Sequence, residues 1–140
     1  MAEPRQLQDA RKCLAQAEAA YRTEEGLAQL GEGLALLDDV LVAGDARHTQ
    51  IAKNLAATYA ARLYERIGRL LDVDRAVPEP ELEHFFKLVL AFDQIVGALP
   101  ASARALKIEV ARRLIERYYE GHPQEKKLEA LRALEQLEED

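Results

Sequence analysis

The sequence predicts an all-α protein of about six antiparallel helices, stacked as helical hairpins in repeat-like or bundle fashion within one domain, residues 1–140. Three observations predict it. Apolar residues recur at steps of three and four along nearly the whole chain, the spacing that builds one face of an α-helix. Turn-forming residues cut that pattern into segments of helical length, each with a physical reason to start and stop. No run alternates apolar and polar residues with the β-branched enrichment a strand requires. Hydrophobic residues at 49 % and charged residues at 31 %, with no Trp, supply a core and exclude a disordered chain.

The first helix is expected over Pro4 to Tyr21, with Leu7, Leu14 and Tyr21 on one side. Thr23 then caps a second helix of the clearest periodicity, Leu27, Leu30, Leu34, Leu37 and Leu41, a seam suited to another helix. Gly44 stops it and Asp45 caps the third. That helix carries Ile51, Leu55, Tyr59, Leu63, Ile67 and Leu70 to about Leu71, before the proline-bearing linker "LDVDRAVPEP". The fourth, Pro80 to Leu99, is the most apolar, with Leu82, Phe85, Phe86, Val89, Phe92, Val96 and Leu99 on one face and Leu88, Leu90 and Ile95 widening it. It is placed at the centre of the core. After "LPAS", Ser102 is expected to cap the fifth. "EGHP" ends that helix at Gly121, with Pro123 as first residue of a sixth carrying Leu128, Leu131, Leu134 and Leu137. "LDDVLVAGDARHTQI" from Leu37 echoes "FDQIVGALPASARALKI" from Phe92, as a duplicated hairpin would.

Charge interrupts the apolar runs well short of a membrane span, and the N-terminus lacks the apolar stretch of a secretory signal. One cysteine, Cys13, cannot close an internal disulfide and fits a reducing compartment, so the expected location is cytoplasmic, without membrane contact. A net charge of −6 argues against a general nucleic-acid binder, which needs a basic surface; a third reading places a local basic face for an acidic or nucleic-acid partner on the arginines of the third and fifth helices.

Charge is nevertheless ordered by helix. As bounded from sequence, the second helix carries −5, the third +4, the fourth −3, the fifth +2 and the sixth −3. With successive helices antiparallel, each acidic helix lies beside a basic one, and the arginines find their counter-charge inside the molecule. Such exposed pairs are worth about 0–1 kcal/mol each and select helix neighbours more than they hold the fold.

Two carboxylates break the apolar pattern. At a helical turn of ~100° per residue, Asp38 falls among Leu27, Leu34 and Val42, and Asp93 among Leu82, Phe86 and Val89. A carboxylate aimed at the core needs a partner, so ion pairs Asp38–Arg47 and Asp93–Arg104 are expected, with Arg62 the rival partner of Asp93. The competing reading makes Asp38 and Asp93, with His48 and His84, the acid/base groups or ligands of a metal-binding or enzymatic bundle. "ELEH" and "DARH" have the right spacing, yet both sit in first helical turns where carboxylates serve as caps. Arg11 and Lys12 flank Cys13 and would lower its thiol pKa, but no histidine is near it in sequence. No glycine-rich phosphate loop occurs, and no cofactor is expected.

The stretch "AKNLAATYAARLY", with Leu55-Ala56-Ala57-Thr58-Tyr59 and a later Pro78, resembles the first helix of a tetratricopeptide repeat and the place where such a repeat closes. The resemblance covers about a quarter of the chain. It implies a stack of helical hairpins of the sort that holds peptides or partner proteins. The expected function is therefore a small protein-interaction module or adaptor, binding a protein partner or a second copy of itself as a homodimer. The candidate surface is Leu27, Leu34, Leu41, Phe85, Phe86 and Leu90.

Overall fold

The computed structural model describes residues 3–95 and 99–139, which contain six α-helices and no strand. The helices are α1 (Arg5–Ala19), α2 (Glu24–Ala43), α3 (Ala46–Val73), α4 (Glu79–Ala91), α5 (Ala101–Tyr118) and α6 (Gln124–Glu139). Val96 and the side chain of Leu137, both assigned above to apolar faces, lie outside the described residues.

Local chemistry sets most of the boundaries. The Thr23 hydroxyl accepts the Gly26 N–H at 3.0 Å and opens α2. Gly44, at φ 78°, ends it in the left-handed conformation that a side chain would oppose. One residue later Asp45 accepts the His48 N–H at 3.0 Å and opens α3. Two boundaries differ from expectation. Ser102 lies inside the first turn of α5, and Pro100 holds the cap position. Pro123 precedes α6, its carbonyl accepting from the Lys126 N–H at 3.2 Å.

The fourth helix is shorter than its apolar residues suggest. It ends at Ala91 and tightens into a 3₁₀ turn over Phe92–Gln94, closed by the Ile95 N–H on the Phe92 carbonyl. Residues three apart eclipse in a 3₁₀ turn, so Phe92 and Ile95 both stay buried while Asp93 and Gln94 turn to solvent.

Cross-contacts give the direction of each helix. The start of α4 meets the corner between α1 and α2, where Arg22 holds Glu81 at 2.6 Å and Phe85 stacks on Tyr21. The end of α5 meets both the start of α4, through Tyr118 and Glu83 at 2.9 Å, and the end of α3, through Arg113 and Asp72. Successive helices from α1 to α5 are therefore antiparallel. Helices α1, α3 and α5 pack side by side as one layer, α2 and α4 form a second, and α6 folds back along α5.

The middle of the core belongs to α3, not to α4 as expected. Helix α3 packs on α1, α2, α4 and α5 and buries Ala52, Leu55, Ala56, Ala60, Leu63, Tyr64, Ile67 and Leu71 among others. Tyr64, Phe85 and Phe92 are its bulkiest fully buried side chains, with Tyr64 edge-on to Phe92 at 5.7 Å. Helices α1 and α2 make the most extensive pair, because Ala10, Ala17 and Gly33 leave room for close approach. A Cβ on Gly33 would stand 3.1 Å from Cys13 and Leu14.

Candidate protein-binding groove between α1 and α3

The structure disperses the carboxylates nominated from sequence. Asp38 is exposed, and among the described residues no hydrogen bond or ion pair joins it to Arg47, which is also exposed. The buried face of α2 runs through Gly26, Leu30, Gly33, Leu34, Leu37 and Val40. Its two glycines rotate the face away from Leu27 and Val42, and Asp38 rotates out with them. Asp93 is ion-paired with Lys107 of α5 rather than with Arg104 or Arg62, since the 3₁₀ turn swings it out of the face it would hold on a continuous helix. Arg104 is exposed, and Arg62 faces Glu18 of α1.

The apolar surface nominated from sequence is also redrawn. Leu34 and Phe85 are fully buried and take no part in a surface, while Leu27, Leu41 and Phe86 pack at the rim of the core. Only Leu90 of that set is substantially exposed, at 49 %.

The histidines stand apart. His48 lies 3.4 Å from Asp45 at the start of α3, His84 Nε2 donates to the Tyr21 carbonyl at 2.7 Å, and His122 lies 3.4 Å from Glu79. Among the described residues no three His, Cys, Asp or Glu side chains converge as metal ligands would, so Asp38, Asp93, His48 and His84 do not form one site. The thiol of Cys13 is pushed up by burial, with Glu32 and Asp9 adding to it, rather than down by its basic neighbours. Arg11 is engaged elsewhere, gripping Glu3 through two bonds of 2.8 and 3.0 Å.

The arginines of α3 are brought together. Arg62, Arg66 and Arg69, spaced four and three residues apart, share one side of the helix and line a shallow open groove of about 230 Å³ with Glu18 and Glu65. Glu18, only 16 % exposed, is set between Arg62 and Arg66, 3.6 Å from each. These contacts are ionic and too long to be hydrogen bonds, and Glu18 Oε1 is buried without a hydrogen-bond partner. Arg62 also lies over the Tyr59 ring at 5.3 Å and Arg66 over the Tyr21 ring at 5.9 Å. Tyrosine rings thus flank two of the guanidinium groups that line the groove. Glu18 was not singled out from sequence, Tyr21 was read only as part of an apolar helix side, and Arg66 and Arg69 only as members of a basic helix. The one available signal was the spacing of the three arginines on one helical side.

The layers explain why this surface is basic in an acidic protein. Helices α1, α3 and α5 carry formal charges of +1, +3 and +3, whereas α2 and α4 carry −5 and −2. Alternation along the chain therefore becomes segregation in space, with the basic α3 and α5 packed side by side. Three cations of α5 turn inward, Lys107 to Asp93, Arg113 to Asp72, and Arg117 to the Leu71 and Asp74 carbonyls, while Arg104 and Arg112 are exposed. Those of α3 face outward, Arg47, Lys53, Arg62, Arg66 and Arg69 all being exposed.

The chain matches no family model, no curated protein and no solved structure.

Proposed function

We propose that the protein is a helical protein-interaction module or adaptor, and that it presents the basic face of α3 to its partner. One observation carries this reading: the two layers differ in sign, and Arg62, Arg66 and Arg69 of α3 line, with Glu18 and Glu65, a groove open to solvent. Opposed charged faces steer association and select partners more than they add raw affinity, which suits an adaptor. Support also comes from the stacked hairpins, the architecture implied by the resemblance of Leu55 to Tyr59 to a tetratricopeptide repeat, and from Leu90 and Leu128, 49 % and 42 % exposed. Binding to a second copy is the self-associating form of the same reading.

The test is site-specific photo-crosslinking in cells. A crosslinking residue replaces Thr58, exposed on α3 one turn before Arg62, or Ala35, exposed on α2. The expected result is a discrete crosslinked product from position 58 that disappears when Arg66 and Arg69 become glutamine. Identical products from both positions, or none from position 58, would sink the reading.

A further inference from the structure

We infer that the α1–α3 groove recognises an acidic helical segment of a partner protein, whose carboxylates meet Arg62, Arg66 and Arg69 on the side that Glu18 leaves open. This inference rests on the interaction-module reading and specifies its partner. Glu18 is the internal precedent: one carboxylate reaches α3 from a neighbouring helix and lies 3.6 Å from two guanidinium groups, leaving most of their donors unused. The next step along α3, from Arg66 to Arg69, repeats the arrangement one turn on. There, among the described residues, no ion pair from another helix reaches Arg69.

Geometry favours a helix carrying acids over an isolated anion. Arg62 and Arg69 are seven residues apart, about 10 Å along the axis at the rise of an α-helix. A single phosphate cannot span that distance. Carboxylates spaced three and four residues apart on a partner helix repeat at the same interval. The groove is shallow and open to solvent. The tyrosines beneath Arg62 and Arg66 reduce the ordering that binding would otherwise demand. Net charge in the groove favours an acidic ligand by one unit, three arginines against Glu18 and Glu65.

The experiment is fluorescence anisotropy on the full chain with a labelled alanine-based helical peptide of about fifteen residues, bearing glutamates at steps of four and three. A peptide with glutamine at those positions serves as control. The glutamate peptide is expected to bind, to weaken several-fold between about 50 and 200 mM salt, and to lose about tenfold in affinity in R66Q/R69Q. Both positions are exposed, and circular dichroism checks that the variant folds. The charge reversal R66E/R69E is expected to bind a lysine version of the peptide and reject the glutamate one, which a structural role for the arginines would not produce.

Equal binding of the glutamine peptide, or glutamate-peptide binding indifferent to Arg66 and Arg69, overturns the inference. So does binding of pyrophosphate or a short DNA strand in place of the peptide, or self-association lost in R66Q/R69Q that the peptide cannot compete. A position-58 crosslink without peptide binding would leave the module reading standing and remove only this partner. Loss of that crosslink would remove the reading itself.

Discussion

Tyr64 shows how little of a buried side chain's value lies in its polar atom. Its ring is fully enclosed and edge-on to Phe92, while its hydroxyl is buried without a hydrogen-bond partner, and burial with nearby Asp93 drives its pKa upward. Tyr64→Phe keeps the packing and removes a desolvated hydroxyl. We expect stability unchanged or raised by about 1 kcal/mol in urea unfolding; a clear loss would mean that the hydroxyl is bonded in solution. Tyr118 is the contrasting case, for its hydroxyl donates to Glu83 at 2.9 Å and its pKa is raised to about 12. A raised phenol contributes stability below its ordinary pKa of about 10 and loses it as pH rises through the folded value. Ultraviolet titration should therefore show phenolate at Tyr118 forming late, and E83Q should return it toward the ordinary range. An unshifted titration in the parent protein would refute the contact.

At the scale of the element, two glycines of α2 have opposite fates. A Cβ on Gly26 would stand 2.1 Å from the Ala20 carbonyl oxygen, so the α1–α2 corner can close only without a side chain there. Gly31 meets nothing within 4 Å. G26A should destabilise by about 3 kcal/mol, the upper end of overpacking costs, whereas G31A should stabilise by about 1 kcal/mol through helix propensity. Thermal melts of the pair check both signs. The end of α3 depends on a distant residue: Arg117 of α5 supplies donors to the Leu71 and Asp74 carbonyls, which the helix leaves unpaired. R117L should cost about 2–3 kcal/mol and speed hydrogen exchange in the last turn of α3 before other regions. Exchange confined elsewhere would contradict this role. Helix α6 is the least anchored element, with Leu134 the one buried side chain among those described and only α5 as a major neighbour. Its amides should exchange fastest of the six helices, and protection equal to α3 would show that another surface covers it.

For the whole molecule, the consequential feature is that alternation of charge along the chain becomes segregation between layers. Because each chain reversal moves to the other layer, α1, α3 and α5 gather positive charge while α2 and α4 gather negative. Lys107, Arg113 and Arg117 of α5 tie the molecule together, and the cations of α3 are exposed. A partner drawn to α3 should bind less tightly as salt rises, since exposed charges are screened over about 8–10 Å at ordinary ionic strength.

Local sequence by itself determined the fold class, most helix boundaries and the cap residues Thr23, Gly44 and Asp45, because each depends on chemistry within a turn or two of its own position. It did not determine which face of α2 is buried, since Gly26 and Gly33 acquire their importance only when α1 lies against them. Nor could it place Asp93, whose direction depends on where α4 tightens into a 3₁₀ turn over Tyr64. The convergence of Glu18, Tyr21, Tyr59, Arg62 and Arg66 was decided by tertiary structure alone. Those residues come from two helices and the corner after α1, and contacts between chain-distant side chains follow from how helices cross.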